Sequence, residues 1–107
     1  MRIFRGFGGG RQIREFDSAD ASVVGVTTSG HVVVISIEPG GLVGRHPAGA
    51  EQLFLVVSGS GWVTGPDGRR VALGAGEAAV WSAGEEHESG SAEGMTALVV
   101  EAEQLDI

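Results

Sequence analysis

The 107-residue sequence contains no cysteine, no lysine and no tyrosine. Without cysteine, a disulfide framework, a thiolate metal site and a cysteine nucleophile are all excluded. Without lysine and tyrosine, Schiff-base chemistry and acid catalysis by a phenol are excluded as well. Histidines and carboxylates are therefore the side chains left for metal binding or acid–base chemistry.

Long apolar runs are also absent. No stretch approaches the roughly 20 residues of a membrane-spanning helix, and the first ten residues carry charges and glycines where a secretory signal needs an apolar segment. Fourteen acidic residues against seven basic ones give a formal net charge of −7, which repels phosphate backbones and anionic lipid headgroups. We therefore expect a cytoplasmic protein with neither a nucleic-acid nor a membrane partner.

The length predicts a single domain over residues 1–107. Nineteen glycines punctuate short apolar runs, a pattern typical of strands joined by tight turns. The predicted strands are 31–37, 52–57, 61–64, 69–73, 78–81 and 95–100. Turn chemistry marks the segments between them, 39–41, 58–61, 65–68, 74–76 and 82–84. This spacing favours an all-β sandwich or barrel of short antiparallel strands.

The first 20 residues are predicted to form an N-terminal arm or strand. The three glycines at 8–10 are expected to loosen this arm. Residues 11–21 are polar enough for a loop or a single short turn of helix.

Three histidines are candidates for chemistry. His31 opens the most apolar run, and a histidine at a strand end is more often a turn or rim residue than a ligand. His46 begins a series in which every second residue shares one face if the chain is extended, so that Gln52 and Phe54 point the same way. His87 follows the apolar strand 78–81 and lies among glutamates, which by itself is typical of a surface histidine tuned by charge.

Two groups of residues, at 40–59 and 76–91, resemble the two sequence motifs of the cupin superfamily. The first motif of that family is glycine, five residues, histidine, one residue, histidine, three or four residues, glutamate, six residues and glycine. This sequence has Gly40, His46, Ala48, Gln52 and Gly59 at those places. The second motif runs from glycine through proline, glycine and histidine to asparagine, and this sequence has Gly76, Ser82, Gly84, His87 and Ser91. All four motif glycines fall in turns, where a positive φ or a close backbone approach is needed.

The resemblance implies a cupin β-barrel, or jelly roll, and a divalent metal (Fe, Mn, Ni or Zn) inside it. In this family two motif-one histidines, the glutamate and the motif-two histidine bind the metal. Here the matching ligands are His46, Gln52 and His87, since Ala48 replaces one histidine. Gln52 offers an amide oxygen but no negative charge, so we expect a weakened site. Glu51 faces the other side of the strand and is not expected to help.

Several functions stay open. With a metal, the protein is expected to be an oxygenase or lyase acting on a small organic molecule. Without one, His46 and His87 serve as the acid and base of an isomerase-like site, or as hydrogen-bonding partners in a ligand-binding sensor module. Phe54, Trp62 and Trp81 are candidate pocket walls, with core packing as the alternative role. The family resemblance also implies a homodimer.

Overall fold

The computed structural model describes residues 1–6, 11–12, 14–17, 19–20, 22–23 and 25–106. Within these ranges the chain forms strands and one short 3-10 helix, Glu15–Asp17. The strands are β1 (Arg2–Phe4), β2 (Arg11–Gln12), β3 (Ser22–Val23), β4 (His31–Ile37), β5 (Leu42–Pro47), β6 (Glu51–Thr64), β7 (Arg70–Gly74), β8 (Ala78–Trp81), β9 (Glu86–Gly90) and β10 (Met95–Ala102).

Strand β6, with 14 residues, organises the fold. Its first part pairs antiparallel with β8 and β10, which pair in turn with β1 and β4. Its second part pairs with β7 and β9, and β9 also pairs with β5. Strand β6 therefore joins two sets of hydrogen-bonded strands into an all-β barrel. Their orders are β1-β8-β6-β10-β4 and β5-β9-β6-β7. Strands β2 and β3 form a separate pair.

Alternation along β6 divides its apolar residues between two faces. Phe54 and Val56 belong to an inner cluster, whereas Leu53 belongs to a second cluster on the outer face. Val63 from the second part of β6 and Trp81 from β8 join the inner cluster, and both are fully buried. Each burial of this kind stabilises the fold by roughly 1.5–3 kcal/mol. The inner cluster therefore lines the barrel and holds the two sets of strands together.

Most predicted strands match the structure. The segments 31–37 and 78–81 appear with the same bounds, as β4 and β8, and 69–73 and 95–100 appear as β7 and β10 with small shifts. Strands β5 and β9 are not among the predicted ones, because glycine and proline in β5 and glutamates in β9 interrupt the apolar pattern. These two strands carry His46 and His87.

The prediction of two strands, 52–57 and 61–64, separated by a turn at 58–61 is wrong. The chain runs straight through as β6, with a bulge at Val57, which has no partner on β10. Gly59 has a φ of 75°, and a Cβ there would clash with the carbonyl oxygen of Gly94. The glycines of this segment therefore serve a bulge and a close strand contact, where the sequence pattern indicates a reversal.

The other predicted turns are present. Backbone hydrogen bonds close them, as in the bonds from Gly68 N–H to the Gly65 carbonyl (3.0 Å) and from Glu85 N–H to the Ser82 carbonyl (3.1 Å). All four motif glycines have positive φ, as expected. The values are 82° at Gly40, 75° at Gly59, 85° at Gly76 and 86° at Gly84.

The N-terminal segment contributes β1, which pairs with β8 at the edge of the sheet. The short helix Glu15–Asp17 lies within the segment 11–21, where a single helical turn was one expectation. The glycines at 8–10, predicted to loosen the arm, lie outside the described residues. In the described part of the chain, no helix has the length and apolar character that crossing a membrane requires.

Candidate metal and ligand site

His46 and His87 face each other across strands β5 and β9. They are direct cross-strand partners, and their ring centroids are 4.4 Å apart with an interplanar angle of 53°. The register of this pair shifts between Val43 and His46. On β9, His87 shares its face with Ser89, which is opposite the inner-cluster residue Val63. Both imidazoles therefore lie on the inner side of the barrel wall.

The backbone fixes which nitrogen of each ring is free. Nδ1 of His46 is 2.6 Å from the Gly44 carbonyl oxygen, and Nδ1 of His87 is 3.2 Å from the Glu85 carbonyl oxygen. A carbonyl oxygen only accepts, so each Nδ1 carries the proton and donates it, and each Nε2 keeps a lone pair. Neither Nε2 has a hydrogen-bond partner in the described residues. Metal-binding histidines in proteins are commonly oriented in this way.

The two histidines differ in burial. His46 is exposed, whereas the side chain of His87 is 3% exposed. Burial lowers the pKa of His87, and a charge on His46 lowers it further, while the Glu85 carbonyl and the carboxylates of Glu101 and Glu86 act in the opposite direction. The net effect is a pKa below the ordinary value. His87 is therefore neutral at neutral pH, which is the form that binds a metal or accepts a proton.

Trp81 and Phe54 hold His87 in place. The Trp81 ring packs against the His87 ring with centroids 4.5 Å apart, and Phe54 meets Trp81 edge-on at 5.9 Å. Trp81 Nε1 donates to the Thr64 carbonyl oxygen at 3.0 Å, which fixes the indole. The two aromatic residues thus form an apolar surface beside the histidine pair and belong to the core.

Gln52 lies on the same inner face. It is directly opposite Trp81 on β8, and two residues further along β6 is Phe54. Its side chain is 7% exposed, and its amide has no hydrogen-bond partner among the described residues. An amide without a partner among the described residues has free capacity for a ligand. Glu51 points to the other face, as alternation predicts, and its carboxylate contacts Arg2 at 3.4 Å.

Trp62 does not join this group. Its cross-strand partner on β9 is Gly90, its ring lies against that glycine, and the guanidinium of Arg70 stacks on the ring at 3.8 Å. The neighbouring Val63 points inward, so Trp62 points outward. The prediction of Trp62 as an inner pocket wall is corrected for this reason. The bulge at Val57 reverses the alternation along β6, and an unbroken strand would have kept Trp62 on the face of Phe54.

Ala48 occupies the place of the second motif-one histidine. Its side chain is buried in the inner cluster, and its N–H donates to the Glu85 carbonyl oxygen at 2.9 Å. A methyl group therefore stands where a third imidazole would be.

Glu101 is a charged neighbour that the sequence reasoning missed. It follows the inner-cluster residue Val99 by two positions on β10, so it shares the inner face, and its cross-strand partner is Gln52. Its carboxylate is 3.5 Å from Nε2 of His31 at the rim. The alternation that places Val99 inside was the available signal, but the predicted strand ended at residue 100.

The donors that are present suit a cation, but the set is smaller than the full set of the family and lacks a carboxylate. In the described residues no three His, Cys, Asp or Glu side chains come close enough together to hold a metal ion. What remains is two imidazoles with free Nε2 atoms and one amide. The two rings are in contact, with centroids 4.4 Å apart, so both imidazoles could serve as ligands of one ion.

The chain resembles known proteins in sequence and in fold. The cupin domain family matches residues 33–102. No curated protein sequence matches the chain. A double-stranded β-helix domain protein from Klebsiella pneumoniae has a similar structure, with 26% identity, a TM-score of 0.64 and 79% of each chain covered.

Two solved enzymes are also similar. The polyketide cyclase RemF from Streptomyces resistomycificus is 28% identical with a TM-score of 0.60, over 71% of this chain and 56% of its own. A structure of the DMSP lyases RdDddP and RnDddQII is 27% identical with a TM-score of 0.62, over 69% and 38%. The chain also covers 64% and 62% of two matched proteins from Streptococcus pyogenes and Thermotoga maritima, less than two thirds of their length.

Proposed function

This chain belongs to the cupin family, and from that premise we propose that its interior binds a divalent metal and a small organic molecule. His46, Gln52 and His87 are the proposed ligands. The observation that carries the proposal is the facing histidine pair, in which both Nδ1 atoms are held by backbone carbonyls and both Nε2 atoms are free. The proposed activity is that of a non-haem metal-dependent oxygenase or lyase.

A bound metal would supply Lewis acidity or oxygen activation. The residues of the chain orient the two imidazoles and keep water from one side of His87. The carbonyls of Gly44 and Glu85 set the direction of the two imidazoles. Trp81 and Phe54 exclude water on one side of His87, and the exposed position of His46 leaves access from solvent. Similarity to a lyase and to a cyclase supports small-molecule chemistry in this fold.

Metal analysis of protein purified without an affinity tag tests the proposal. After reconstitution with iron, manganese, nickel or zinc, we expect close to one equivalent in the wild type and in His31→Ala, the matched control at the third histidine. His46→Ala and His87→Ala are expected to lose it. Binding below about a tenth of an equivalent in the wild type, or equal binding in all four proteins, would overturn the proposal.

The second candidate function is metal-free proton transfer by His46 and His87. The missing carboxylate among the ligands favours it, as does the neutral form of His87 with its free Nε2. Turnover of a hit from a ligand screen that persists in a chelator and follows the titration of the two histidines would favour this function. Binding without turnover would instead favour the sensor module.

The homodimer stays a prediction. Val32 and Val34 on β4 and Val57 on β6 are exposed apolar side chains, and such surface is a candidate for contact with a second copy. Light scattering at several concentrations tests it, and a strict monomer would contradict it.

A further inference from the structure

The ligand set of the proposed site carries no negative charge of its own. Two neutral imidazoles and the Gln52 amide leave the charge of a divalent cation uncompensated, which is costly inside a barrel. A carboxylate near the ligands would offset part of this charge without binding the ion directly.

Glu101 is placed to provide that charge. Its strand neighbour across β6 is Gln52, and Gln52 is in turn opposite Trp81, which packs on His87. All of these residues share the inner face. The carboxylate therefore lies one strand from Gln52, and Trp81, one strand further on, contacts the ring of His87.

The other carboxylates near His87 are less suitable. Glu85 is engaged with the Met1 amine at 2.8 Å and with the Ser82 N–H at 2.6 Å. Glu86 precedes His87 on β9 and therefore points to the outer face. Glu101 in turn contacts His31, but that histidine is 72% exposed, and ion pairs in water are weak. The Glu101 side chain is 35% exposed and lies at the rim end of the inner face.

We propose that Glu101 is the carboxylate of this site and tightens cation binding at His46, Gln52 and His87 as a neighbouring charge. Glu101 is thus a positioning and electrostatic residue and not a ligand. This inference rests on the proposed metal site.

Calorimetric titration with Ni²⁺ tests the inference on five variants and the wild type. Glu101→Gln is isosteric, and we expect it to weaken Ni²⁺ binding by about 10-fold, because it removes a charge one strand from the ligand Gln52. Glu86→Gln removes the same charge from the outer face and is expected to change affinity by less than about fivefold. Thermal unfolding of each variant checks that the fold is retained.

Two further variants separate a charge effect from a structural one. Glu101→Asp keeps the charge at the same strand position and is expected to bind Ni²⁺ within about fivefold of the wild type. His31→Ala is expected to leave affinity unchanged or raise it. Equal losses in His31→Ala and Glu101→Gln would assign the effect to the rim contact and overturn the inference.

The fifth variant, His46→Ala, separates this inference from the proposed function. It changes an exposed side chain, so folding is preserved. If His46→Ala abolishes binding and Glu101→Gln binds like the wild type, the site stands and the role of Glu101 is wrong. If the wild type does not bind Ni²⁺, or His46→Ala binds equally well, the proposed site fails and the role of Glu101 fails with it.

Discussion

The two tryptophans lie on opposite sides of the barrel wall and contact the same strand, β9. Trp81 packs against His87 on the inner side, is fully buried and donates its indole N–H to a carbonyl. Trp62 lies against Gly90 on the outer side, is half-buried and is covered by the Arg70 guanidinium. The same residue type therefore shapes the candidate site in one place and covers the sheet in the other. Strand alternation decides which.

The largest expected effect is on stability. Trp81→Ala is expected to lower the free energy of unfolding by ~3–5 kcal/mol, because it leaves a cavity in the inner cluster and an unsatisfied carbonyl at Thr64. Trp62→Ala is expected to cost about 1–2 kcal/mol, mostly the partial burial and the contact with Arg70. Urea unfolding of both variants measures the difference. Equal losses would break the comparison.

Gly90→Ala tests the outer contact from the other side. A Cβ on Gly90 would overlap the Trp62 indole, and overpacking of this kind costs about 1–3 kcal/mol. In the Trp62→Ala background the cost should largely disappear, which a double-mutant cycle measures. Gly49→Ala is the matched control, since a Cβ there meets no atom within 4 Å. A cost at Gly90 that persists without Trp62 would contradict the contact.

The buried position of His87 on the inner side of the barrel makes stability depend on pH. Burial lowers the folded-state pKa of His87, so the unfolded chain binds more protons than the folded one between that pKa and about 6.5. Stability contributed by neutral His87 is then complete above about pH 6.5 and is lost as the pH falls through the folded pKa. NMR titration of the His87 ring measures the shift directly. A pKa at or above the ordinary value would contradict the buried, neutral assignment.

The smallest effect is expected at Thr64. Its Oγ1 is buried and has no hydrogen-bond partner in the described part of the chain. Thr64→Val removes this unsatisfied group at nearly constant shape, so stability should stay equal or rise by up to about 1 kcal/mol. Thr28→Val is the contrasting control, because Thr28 Oγ1 accepts the Gly30 N–H at 3.0 Å and its loss should not stabilise. A clear loss of stability in Thr64→Val would indicate that the hydroxyl has a partner.

Residues with a regular local pattern were predictable from the sequence. The apolar runs predicted the bounds of β4 and β8, and the spacing of glycines and histidines identified the family. His46 and His87 stay the predicted site residues. Glycine chemistry does not distinguish a reversal from a bulge, so the continuity of β6 and the outward face of Trp62 were missed. Glu101 was missed for a different reason. Gln52 and Glu101 are 49 positions apart in the sequence, and only the pairing of β6 with β10 makes them neighbours.

The anomalous signal from crystals soaked with zinc locates a bound ion in the barrel. We expect one peak at about 2.0–2.2 Å from Nε2 of both His46 and His87, with Gln52 adjoining it. A peak only beside His31 and Glu101 at the rim, or no peak at the histidine pair at saturating zinc, would contradict the proposed metal site.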